Sequence, residues 1–560
     1  MDYKKNSPIE AVFLFLLEVV DRGYSHIELM SHLTYTTHRM NKKQREESPV
    51  VLIILDGFGL ADIKSPGNAI TPKTAPAIFS YMKKYPSTTL TAHGKSVGLF
   101  PNQEGNSEAG HLTIGAGRVV KQDLVIISDA IKDGTFFKNE SFHQAVEHTK
   151  KYKSRLHVMG LLTDGQSAHA HNDHLYAVLD YARRMEVKEV FLHLFTDGRD
   201  ASPHGAVTFL RQLQKHMTEG QYIASVTGRF YAMDRSKTWG RTEHAYNALV
   251  LGKGCFAASP EEAIDQGYNR GETDEYILPT IIMNGKKPVA TIKNDDAILF
   301  FNARSDRARQ ITKTFVQKNF TKQNPGAFVR KKTLKNICFV AMTDFGPDLP
   351  GMRIAFPSPD IDNCLAKAVG DARRQLYISE MEKFAHVTFF INGGYPEPIY
   401  GEKREVVPSL QEYSFTKRPQ MNAREVTKRI LRYLKQNTYN FIVVNYPNAD
   451  MLGHTGNMSA AKKAIHIVDK EVKNIVDCVL AKHGTVVITA DHGNAESMIG
   501  DTDQEMLTEH STNPVPFILV SKTYRHVRMK KGTLADVAPT MLKIMQLPSP
   551  KEMTGKGLFK

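Results

Sequence analysis

Continuous aliphatic runs, each followed by an aspartate, recur along the chain and predict buried strands. A run that is apolar at every position, rather than at alternate ones, is typical of a parallel strand covered on both faces. Helical segments at 423–436 and 459–482 lie between the later runs, so the pattern predicts an α/β fold. The runs and the aspartates after them are 50–55 before Asp56, 441–444 before Asp450 and 486–490 before Asp491.

The middle of the chain repeats the pattern independently. We therefore expect a second α/β domain, residues 122–355, inserted into a first domain made of 48–121 and 356–560. The hinges are expected at 117–121 and 346–351, where glycine and proline collect. The runs in the inserted part are 156–162 before Asp164, 189–195 before Asp197 and 337–342 before Asp344.

Composition narrows the class of protein. The 560 residues are 41% hydrophobic, yet no stretch of about 18 apolar residues predicts a membrane span. Four cysteines without a CxxC pair argue against a disulfide framework and a cysteine zinc site, so we expect a reducing, cytoplasmic setting. Residues 1–47 are expected to form a helical or disordered extension without a clean signal-peptide pattern.

The net charge of +14 raises the question of an anionic partner. In the extension, seven lysines and arginines balance seven aspartates and glutamates, so the excess belongs to the rest of the chain. The chain lacks the interleaved basic and aromatic residues or the modules of nucleic-acid binders. Of the three anionic partners that the charge suggests, a nucleic acid, a membrane surface and a phosphorylated metabolite, the composition disfavours the nucleic acid.

Histidines and aspartates concentrate where the predicted strands end. Ligands of open α/β sheets bind beyond the carboxyl ends of the strands, so these side chains are expected to converge. Mixed imidazole and carboxylate ligands suit Mn²⁺, Zn²⁺ or Co²⁺ better than Ca²⁺, and six of them suffice for two ions about 4 Å apart. Each residue alone would equally be read as a cap or loop residue. The set is Asp56, Asp450, His454, Asp491, His492 and His510.

Ser107 lies between two glycines in the segment 105–111, GNSEAGH. A neighbouring metal ion would activate its hydroxyl as a nucleophile. The alternative is structural, because a serine at this position also predicts the N-cap of a following helix. The residues themselves leave both interpretations open.

Arginines follow small or turn residues throughout the expected inserted domain. Guanidinium groups bind phosphate and carboxylate oxygens in a bidentate manner that lysine does not reproduce. Any one of them is also explained by a surface ion pair. His169 and His171 are further acid–base or phosphate-binding candidates near pH 7, or ordinary surface histidines. The arginines are Arg199, Arg229, Arg235, Arg304 and Arg307.

Nine co-linear motifs resemble those of the cofactor-independent phosphoglycerate mutases, a family of the alkaline phosphatase superfamily, over residues 48–555. The resemblance implies an isomerase of glycolysis that interconverts 3-phosphoglycerate and 2-phosphoglycerate through a phosphoserine, without 2,3-bisphosphoglycerate. The motifs are LDGFG (55–59), GNSEAGH (105–111), TDGRD (196–200), TGRFYAMDR (227–235), NARSDR (302–307), EKFAHVTFF (382–390), NADMLGHTG (448–456), TADHGNAE (489–496) and HSTNPVP (510–516).

The resemblance also implies roles in the metal site. Ser107 would accept the phosphoryl group, and Lys383 would contact it. Two divalent ions are implied, with Mn²⁺ usual and Mg²⁺ or Co²⁺ in some members. The implied ligands are Asp450, His454 and His510 for one ion, and Asp56, Asp491, His492 and Ser107 for the other.

The same resemblance implies that the inserted domain holds the substrate and that Asp200 shuttles the glycerate hydroxyl proton. Two departures from the family pattern stand out. Residues 164–171, DGQSAHAH, carry one inserted residue, which leaves His169 and His171 as alternatives, and Ser305 replaces a proline. The implied substrate ligands are His169, Arg199, Asp200, Arg229, Arg235, Arg304, Arg307 and Lys383.

The other enzyme interpretation is a phosphatase or phosphopentomutase of the same superfamily with the same metal site. An arginine-rich insert favours a small substrate that carries both carboxylate and phosphate. We expect a cytoplasmic monomer with phosphoglycerate as its partner and with neither nucleic acid nor membrane.

Overall fold

A computed structural model describes residues 48–165, 167–359, 361–410, 414–500 and 505–560. The chain divides into two compact units, one made of 48–120 with 361–560 and the other of 121–360. The extension at 1–47 lies outside the described residues. The segment 346–351, expected to be a hinge, precedes a strand that pairs within the sheet of the second unit.

Strands are numbered β1 to β17 along the described chain. They are β1 Val50–Leu55, β2 Ser87–Thr91, β3 Leu156–Leu162, β4 Val190–Thr196, β5 Gln221–Gly228, β6 Cys255–Ala257, β7 Thr280–Asn284, β8 Lys287–Pro288, β9 Ala297–Phe300, β10 Cys338–Ala341, β11 Arg353–Ile354, β12 Gln375–Glu380, β13 Lys403–Val407, β14 Phe441–Tyr446, β15 Thr485–Thr489, β16 Val515–Ser521 and β17 Gly532–Thr533.

Helices occupy much of the chain between the strands. The α-helices are Pro76–Lys84, Ser107–Ala116, Asp123–Asp133, Glu140–Tyr152, Asn172–Arg184, Ala206–His216, Arg229–Ala232, Trp239–Leu251, Pro260–Asn269, Ser305–Val316, Phe320–Gln323, Leu365–Val369, Met381–Ala385, Ala423–Gln436, Asn448–Gly453, Met458–Ala481 and Val537–Met545. Short 3₁₀ helices lie at Gly94–Val97, Thr135–Lys138, Asp274–Tyr276, Gly370–Ala372, Phe415–Lys417 and Leu534–Asp536, and a π-helix lies at His386–Phe390.

The first unit is built on a sheet in the order β13-β12-β14-β1-β15-β16-β2-β17. The strands from β13 to β15 are parallel, and β16 runs antiparallel to both β15 and β2. Every residue of β1, β14 and β15 is buried, which explains their unbroken aliphatic runs. The helix Ala423–Gln436 places Val426, Ile430 and Leu434 in the same core. The predicted α/β fold with a parallel sheet is confirmed.

The second unit has its own sheet, in the order β11-β10-β9-β3-β4-β5-β7-β6, with β8 paired to β7. From β11 to β5 the strands are parallel, and β7 is antiparallel to β5. Its apolar core is separate from that of the first unit. Both sheets therefore present loops at the carboxyl ends of parallel strands, where α/β proteins bind ligands.

Among the residues that the structure describes, no helix combines the length and apolar character needed to cross a bilayer.

Candidate active site

Three neighbouring strands of the first unit bring three aspartates together. Asp56 follows β1 directly, Asp491 follows β15 after one residue, and Asp450 lies on the helix after β14. The peptide N–H of Asp450 donates to the carbonyl of Asp56 at 3.1 Å. Because β14, β1 and β15 are adjacent and parallel, residues far apart in sequence meet at one edge of the sheet.

Gly57 permits this close approach. Its φ of +70° is one that side-chain-bearing residues rarely adopt, and a Cβ there would lie 2.8 Å from the Cα of Asp450. A glycine is thus required at position 57, because the backbone of Asp450 packs directly against it.

Lys383 supplies a buried cation at this edge. Its Nζ lies 2.7 Å from Oδ1 of Asp56 and 2.8 Å from Oδ2 of Asp450. Burial alone would raise the pKa of both carboxyls, but the ammonium and the neighbouring histidines together outweigh burial and hold both pKa values below their usual range. Burial likewise opposes charge on Lys383, yet the carboxylates of Asp450 and Asp56 raise its pKa. One ammonium against three carboxylates leaves negative charge for other cations to balance.

His454 and His510 both direct Nε2 at Asp450. Nδ1 of His454 donates to the carbonyl of Thr508 at 2.6 Å, and Nδ1 of His510 donates to that of Gly105 at 2.8 Å. Each Nε2 therefore carries a lone pair in the neutral ring, lies 3.2 Å from Oδ1 of Asp450, and lies 3.1 Å from the other Nε2. Three acceptors this close are stable only around a cation, so the donor set fits a divalent metal ion.

A second group of ligand atoms lies around Asp491. Oδ2 of Asp491 is fully buried and accepts no hydrogen bond, which is the condition a metal ion would relieve. Nε2 of His492 is 3.4 Å from this oxygen and 3.5 Å from Oδ1 of Asp56. The ligand atoms of Asp450, His492 and His510 lie within 4.8 Å of one another, as do those of Asp56, His111 and Asp491.

Ser107 begins the helix Ser107–Ala116, but it does not cap it. The cap is Asn106, whose side chain accepts from the N–H of Ala109 at 2.9 Å, so the interpretation of Ser107 as an N-cap is wrong. The Ser107 hydroxyl instead contacts Oδ1 of Asp56 at 3.2 Å and Nε2 of His492 at 2.9 Å. It also receives a hydrogen bond from Nζ of Lys383 at 2.5 Å. The hydroxyl thus contacts one residue from each of the two observed clusters of ligand atoms, His492 from that of Asp450 and Asp56 from that of Asp491.

Sequence reasoning missed the residues that hold these side chains in place. Nδ2 of Asn445 donates to Oδ2 of Asp56 at 2.7 Å and to Nε2 of His111 at 3.0 Å, and Nδ1 of His111 donates to the carbonyl of Ser107 at 2.9 Å. Nδ2 of Asn494 donates to Oδ1 of Asp450 at 3.0 Å. His111 and Asn494 lie inside quoted motifs, which was a usable signal, whereas Asn445 is hidden within a strand.

In the second unit, a buried arginine joins two aspartates. Arg229 follows β5, and its Nη1 donates to Oδ1 of Asp197 at 2.6 Å and to Oδ2 of Asp200 at 2.8 Å. Burial disfavours the guanidinium charge, but the two carboxylates raise the pKa of Arg229. Burial also opposes ionisation of Asp200, yet its bonds to Arg229 hold its pKa below the ordinary value. Asp200 is therefore an ionised carboxylate near pH 7.

Asp306 gathers a further group in the same unit. Its Oδ2 accepts from Nη1 of Arg235 at 2.6 Å, and its Oδ1 lies 3.3 Å from Nε of Arg304 and 3.7 Å from Nδ1 of His169. Burial lowers the pKa of His169 to about 4, so its imidazole is neutral near pH 7.

The remaining expected residues of the second unit lie less deeply. Nη1 of Arg307 donates to the carbonyl of Met233 at 3.3 Å, and the half-exposed Arg199 pairs with Glu275 at 3.3 Å. His171 is the N-cap of the helix Asn172–Arg184, since its Nδ1 accepts from the N–H of Asp173 at 3.2 Å. Of the two alternative histidines, His169 is the one that the structure places with the arginines.

The chain is similar to proteins of known family. The family model described as "BPG-independent PGAM N-terminus" matches residues 127–347. The 2,3-bisphosphoglycerate-independent phosphoglycerate mutase of Clostridium novyi (strain NT) is 46% identical over 518 residues, 92% of this chain and 100% of the relative. That of Clostridium acetobutylicum is 47% identical over 517 residues, covering 92% and 99%.

A solved structure extends the similarity to three dimensions. The phosphoglycerate mutase of Leishmania mexicana, crystallised at low cobalt concentration, is 28% identical with a TM-score of 0.73, covering 92% of this chain and 98% of that one. The similarity to these relatives covers nearly the whole length of the chain. The chain belongs to the family of 2,3-bisphosphoglycerate-independent phosphoglycerate mutases.

Proposed function

We propose that this isomerase, which interconverts 3-phosphoglycerate and 2-phosphoglycerate in glycolysis, transfers the phosphoryl group through a phosphoserine at Ser107. The observation that carries the proposal is the position of the Ser107 hydroxyl, which touches Asp56, His492 and Lys383 at once. A hydroxyl committed to capping a helix would not be available in this way. Here Asn106 caps the helix, and the serine oxygen is free to attack phosphorus.

The enzyme uses divalent metal and does not need bisphosphoglycerate, and we propose Mn²⁺ as its metal, with Mg²⁺ or Co²⁺ as substitutes. Imidazole and carboxylate together suit these ions. Asp450, His454 and His510 would hold one ion, and Asp56, Asp491, His492 and Ser107 the other. Bound ions would stabilise the charge of the transferring phosphoryl oxygens and lower the pKa of the serine hydroxyl.

The residues of the first unit have different roles in the transfer of the phosphoryl group. Oγ of Ser107 forms a bond to phosphorus as the bond from phosphorus to the glycerate oxygen breaks. Lys383 already donates to Oγ, and we propose that its ammonium holds an oxygen of the phosphoryl group as the transfer proceeds. His111 and Asn445 hold Ser107 and Asp56 in position through their hydrogen bonds.

The residues of the second unit bind glycerate and move its proton. His169 and the five arginines are proposed to hold carboxylate and phosphate oxygens, for which planar guanidinium groups are suited. Asp200, ionised near pH 7, is proposed to take the proton from the glycerate hydroxyl that attacks the phosphoserine. The oxygen that leaves in the first transfer takes up the proton that Oγ of Ser107 gives up. After the second transfer Asp200 releases its proton to solvent, and Oγ of Ser107 regains one. The arginines are Arg199, Arg229, Arg235, Arg304 and Arg307.

We also propose a cytoplasmic location, because phosphoglycerates are intermediates of glycolysis. That the chain acts as a monomer and binds no nucleic acid stays a prediction.

The test supplies 3-phosphoglycerate to metal-stripped protein, with Mn²⁺ restored and no bisphosphoglycerate present. Phosphorus NMR should show 2-phosphoglycerate, and mass spectrometry of acid-quenched enzyme should find phosphate on Ser107. Free phosphate without 2-phosphoglycerate would instead support the phosphatase alternative. Turnover without phosphate on Ser107 in any quenched sample, together with an active Ser107→Ala variant, would contradict the phosphoserine proposal.

A further inference from the structure

Ser167 has a hydroxyl placed between two residues of the second unit's site. Its Oγ donates to Oδ2 of Asp200 at 2.7 Å and accepts from the peptide N–H of His169 at 3.2 Å. The side chain is buried, with 2% of the residue exposed. Ser167 thereby connects the loop after β3, which carries His169, with the loop after β4, which carries Asp200.

The charges that face Asp200 show what this hydrogen bond does. Arg229, from the segment after β5, donates to the same Oδ2 at 2.8 Å. Asp197 lies on the other side of that guanidinium, and the neutral His169 faces Asp200 from the loop after β3. Among these groups, Ser167 is the uncharged donor, and with Arg229 it fixes the carboxylate from two directions.

A two-point anchor has a directional consequence. Oδ2 is occupied by both donors, so the lone pairs of Oδ1 are left for another partner. The backbone holds the residue as well, since the peptide N–H of Asp200 donates to Oδ1 of Asp197 at 2.9 Å. A carboxylate that keeps one oxygen available in a fixed direction is arranged to accept a proton there.

We propose that Ser167 is a positioning residue for Asp200, orienting its carboxylate through Oδ2 and favouring the ionised form that receives the substrate's proton. The inference rests on the proposed role of Asp200 and extends it to a residue in the segment where this chain carries an inserted residue. Ser167 itself touches neither substrate nor metal in this scheme. An O–H donor stabilises a carboxylate more than a carboxylic acid, and so it lowers the pKa of Asp200.

The experiment compares pH profiles of kcat and KM for the full-length metal-loaded enzyme. In Ser167→Ala we expect kcat to fall about tenfold with KM within about twofold, since one hydrogen bond to a charged group is lost. The acid limb of kcat should move to higher pH, because Asp200 without the donor protonates more readily. Ser167→Thr keeps the hydroxyl and should restore both properties. Ser202→Ala, an exposed serine of the neighbouring loop, is the matched control and should leave both unchanged.

Asp200→Asn separates this inference from the function on which it rests. If Asp200→Asn turns over at the wild-type rate, the proposed role of Asp200 fails and the inference fails with it. If Asp200→Asn is inactive while Ser167→Ala has the wild-type kcat and pH profile, only the inference about Ser167 is overturned. A fall in kcat and KM without a displaced acid limb, or a Thr variant as impaired as the Ala variant, would show a merely structural serine and would also overturn it.

Discussion

Each of the two units has a polar site at the carboxyl ends of the parallel strands of its own sheet. The two sites differ in their charge. In the first unit, carboxylates and imidazole nitrogens converge, and the buried ammonium of Lys383 faces them. In the second unit, Arg229 pairs with Asp197 and Asp200, and Arg235 pairs with Asp306, although Oδ2 of Asp197 and Oδ1 of Asp306 accept no hydrogen bond from the described residues.

The topology of the sheet therefore determines where a site lies. The balance between hydrogen-bond donors and acceptors in the site determines which kind of ligand it binds. An excess of acceptors in a buried setting requires cations, as around Asp491. Guanidinium groups held by carboxylates keep further N–H groups for an anionic substrate. The first unit is thus suited to metal and phosphoryl chemistry, and the second to binding a small anion.

The largest expected effect concerns the nucleophile. Ser107→Ala should lower kcat by a factor on the order of 10⁴ or more, because the phosphoryl acceptor is removed. Metal content should stay close to that of the wild type, since Asp56, Asp491 and His492 remain as ligands. Thermal unfolding should also stay close, since Asn106 and not Ser107 caps the helix. Coupled enzyme assays and elemental analysis measure both. Ser96→Ala, whose hydroxyl bonds the carbonyl of His93, is the control, and turnover within tenfold of wild type in Ser107→Ala would contradict the proposal.

Metal loading should distinguish the two units. Mn²⁺ at 100 times its dissociation constant stabilises the bound form by about 2.7 kcal/mol, so opening reactions that release it become about 100-fold rarer. Hydrogen–deuterium exchange should slow in peptides covering 448–456 and 489–496 of the first unit. Peptides around 197–200 and 229–235 of the second unit should exchange as in the chelated protein. If exchange slowed equally in both units, the result would contradict the inference that metal binds in the first unit alone.

The buried arginine should matter more for stability than an exposed one. Arg229→Lys keeps a charge but loses the planar fork between Asp197 and Asp200, and we expect the free energy of unfolding to fall by about 2 kcal/mol. Arg199→Lys is the matched control, because its half-exposed pair with Glu275 contributes at most about 1 kcal/mol. Urea titrations of both variants give the values. Similar losses in the two would show that the carboxylates around Arg229 do not depend on it.

The smallest expected effect is that of replacing His171, and comparing it with the replacement of His169 tests which of the two histidines binds substrate. His171→Ala removes a helix cap and should cost about 0.5–1 kcal/mol in unfolding, with kcat/KM within about twofold of wild type. His169→Ala should lower kcat/KM by about tenfold or more, as it removes a neutral imidazole beside Arg304 and Asp306. Steady-state kinetics and thermal melts of both variants test this. The reverse order of the kinetic effects would place His171 in the substrate site.

Local pattern was enough to predict much of the framework. The runs at 50–55 and 156–162 form strands with those bounds, and the predicted helix at 423–436 is the helix Ala423–Gln436. Unbroken aliphatic runs are informative because a strand buried on both faces favours apolar side chains at successive positions. The residues of the candidate site could be predicted from the sequence where they lie in motifs that follow strands.

Other features had no local signal. Asn445 lies inside a buried strand whose pattern asks only for burial, and its partners Asp56 and His111 are hundreds of residues away. The pattern left Ser107 open as a helix cap beside its role as a nucleophile, because asparagine and serine both cap helices and the backbone angles decide which of them does.

Sequence alone determined the fold class, the family and the kinds of side chain at the strand ends, since burial pattern and motif order are properties of the linear chain. Tertiary structure decided which of those side chains meet. Only the parallel pairing of β14, β1 and β15 puts Asp450, Asp56 and Asp491 at one edge, and only packing directs the hydroxyl of Ser107 to Lys383 and that of Ser167 to Asp200. Hydrogen bonds act over about 3 Å, and distance in space is set by the sheet rather than by position in the sequence.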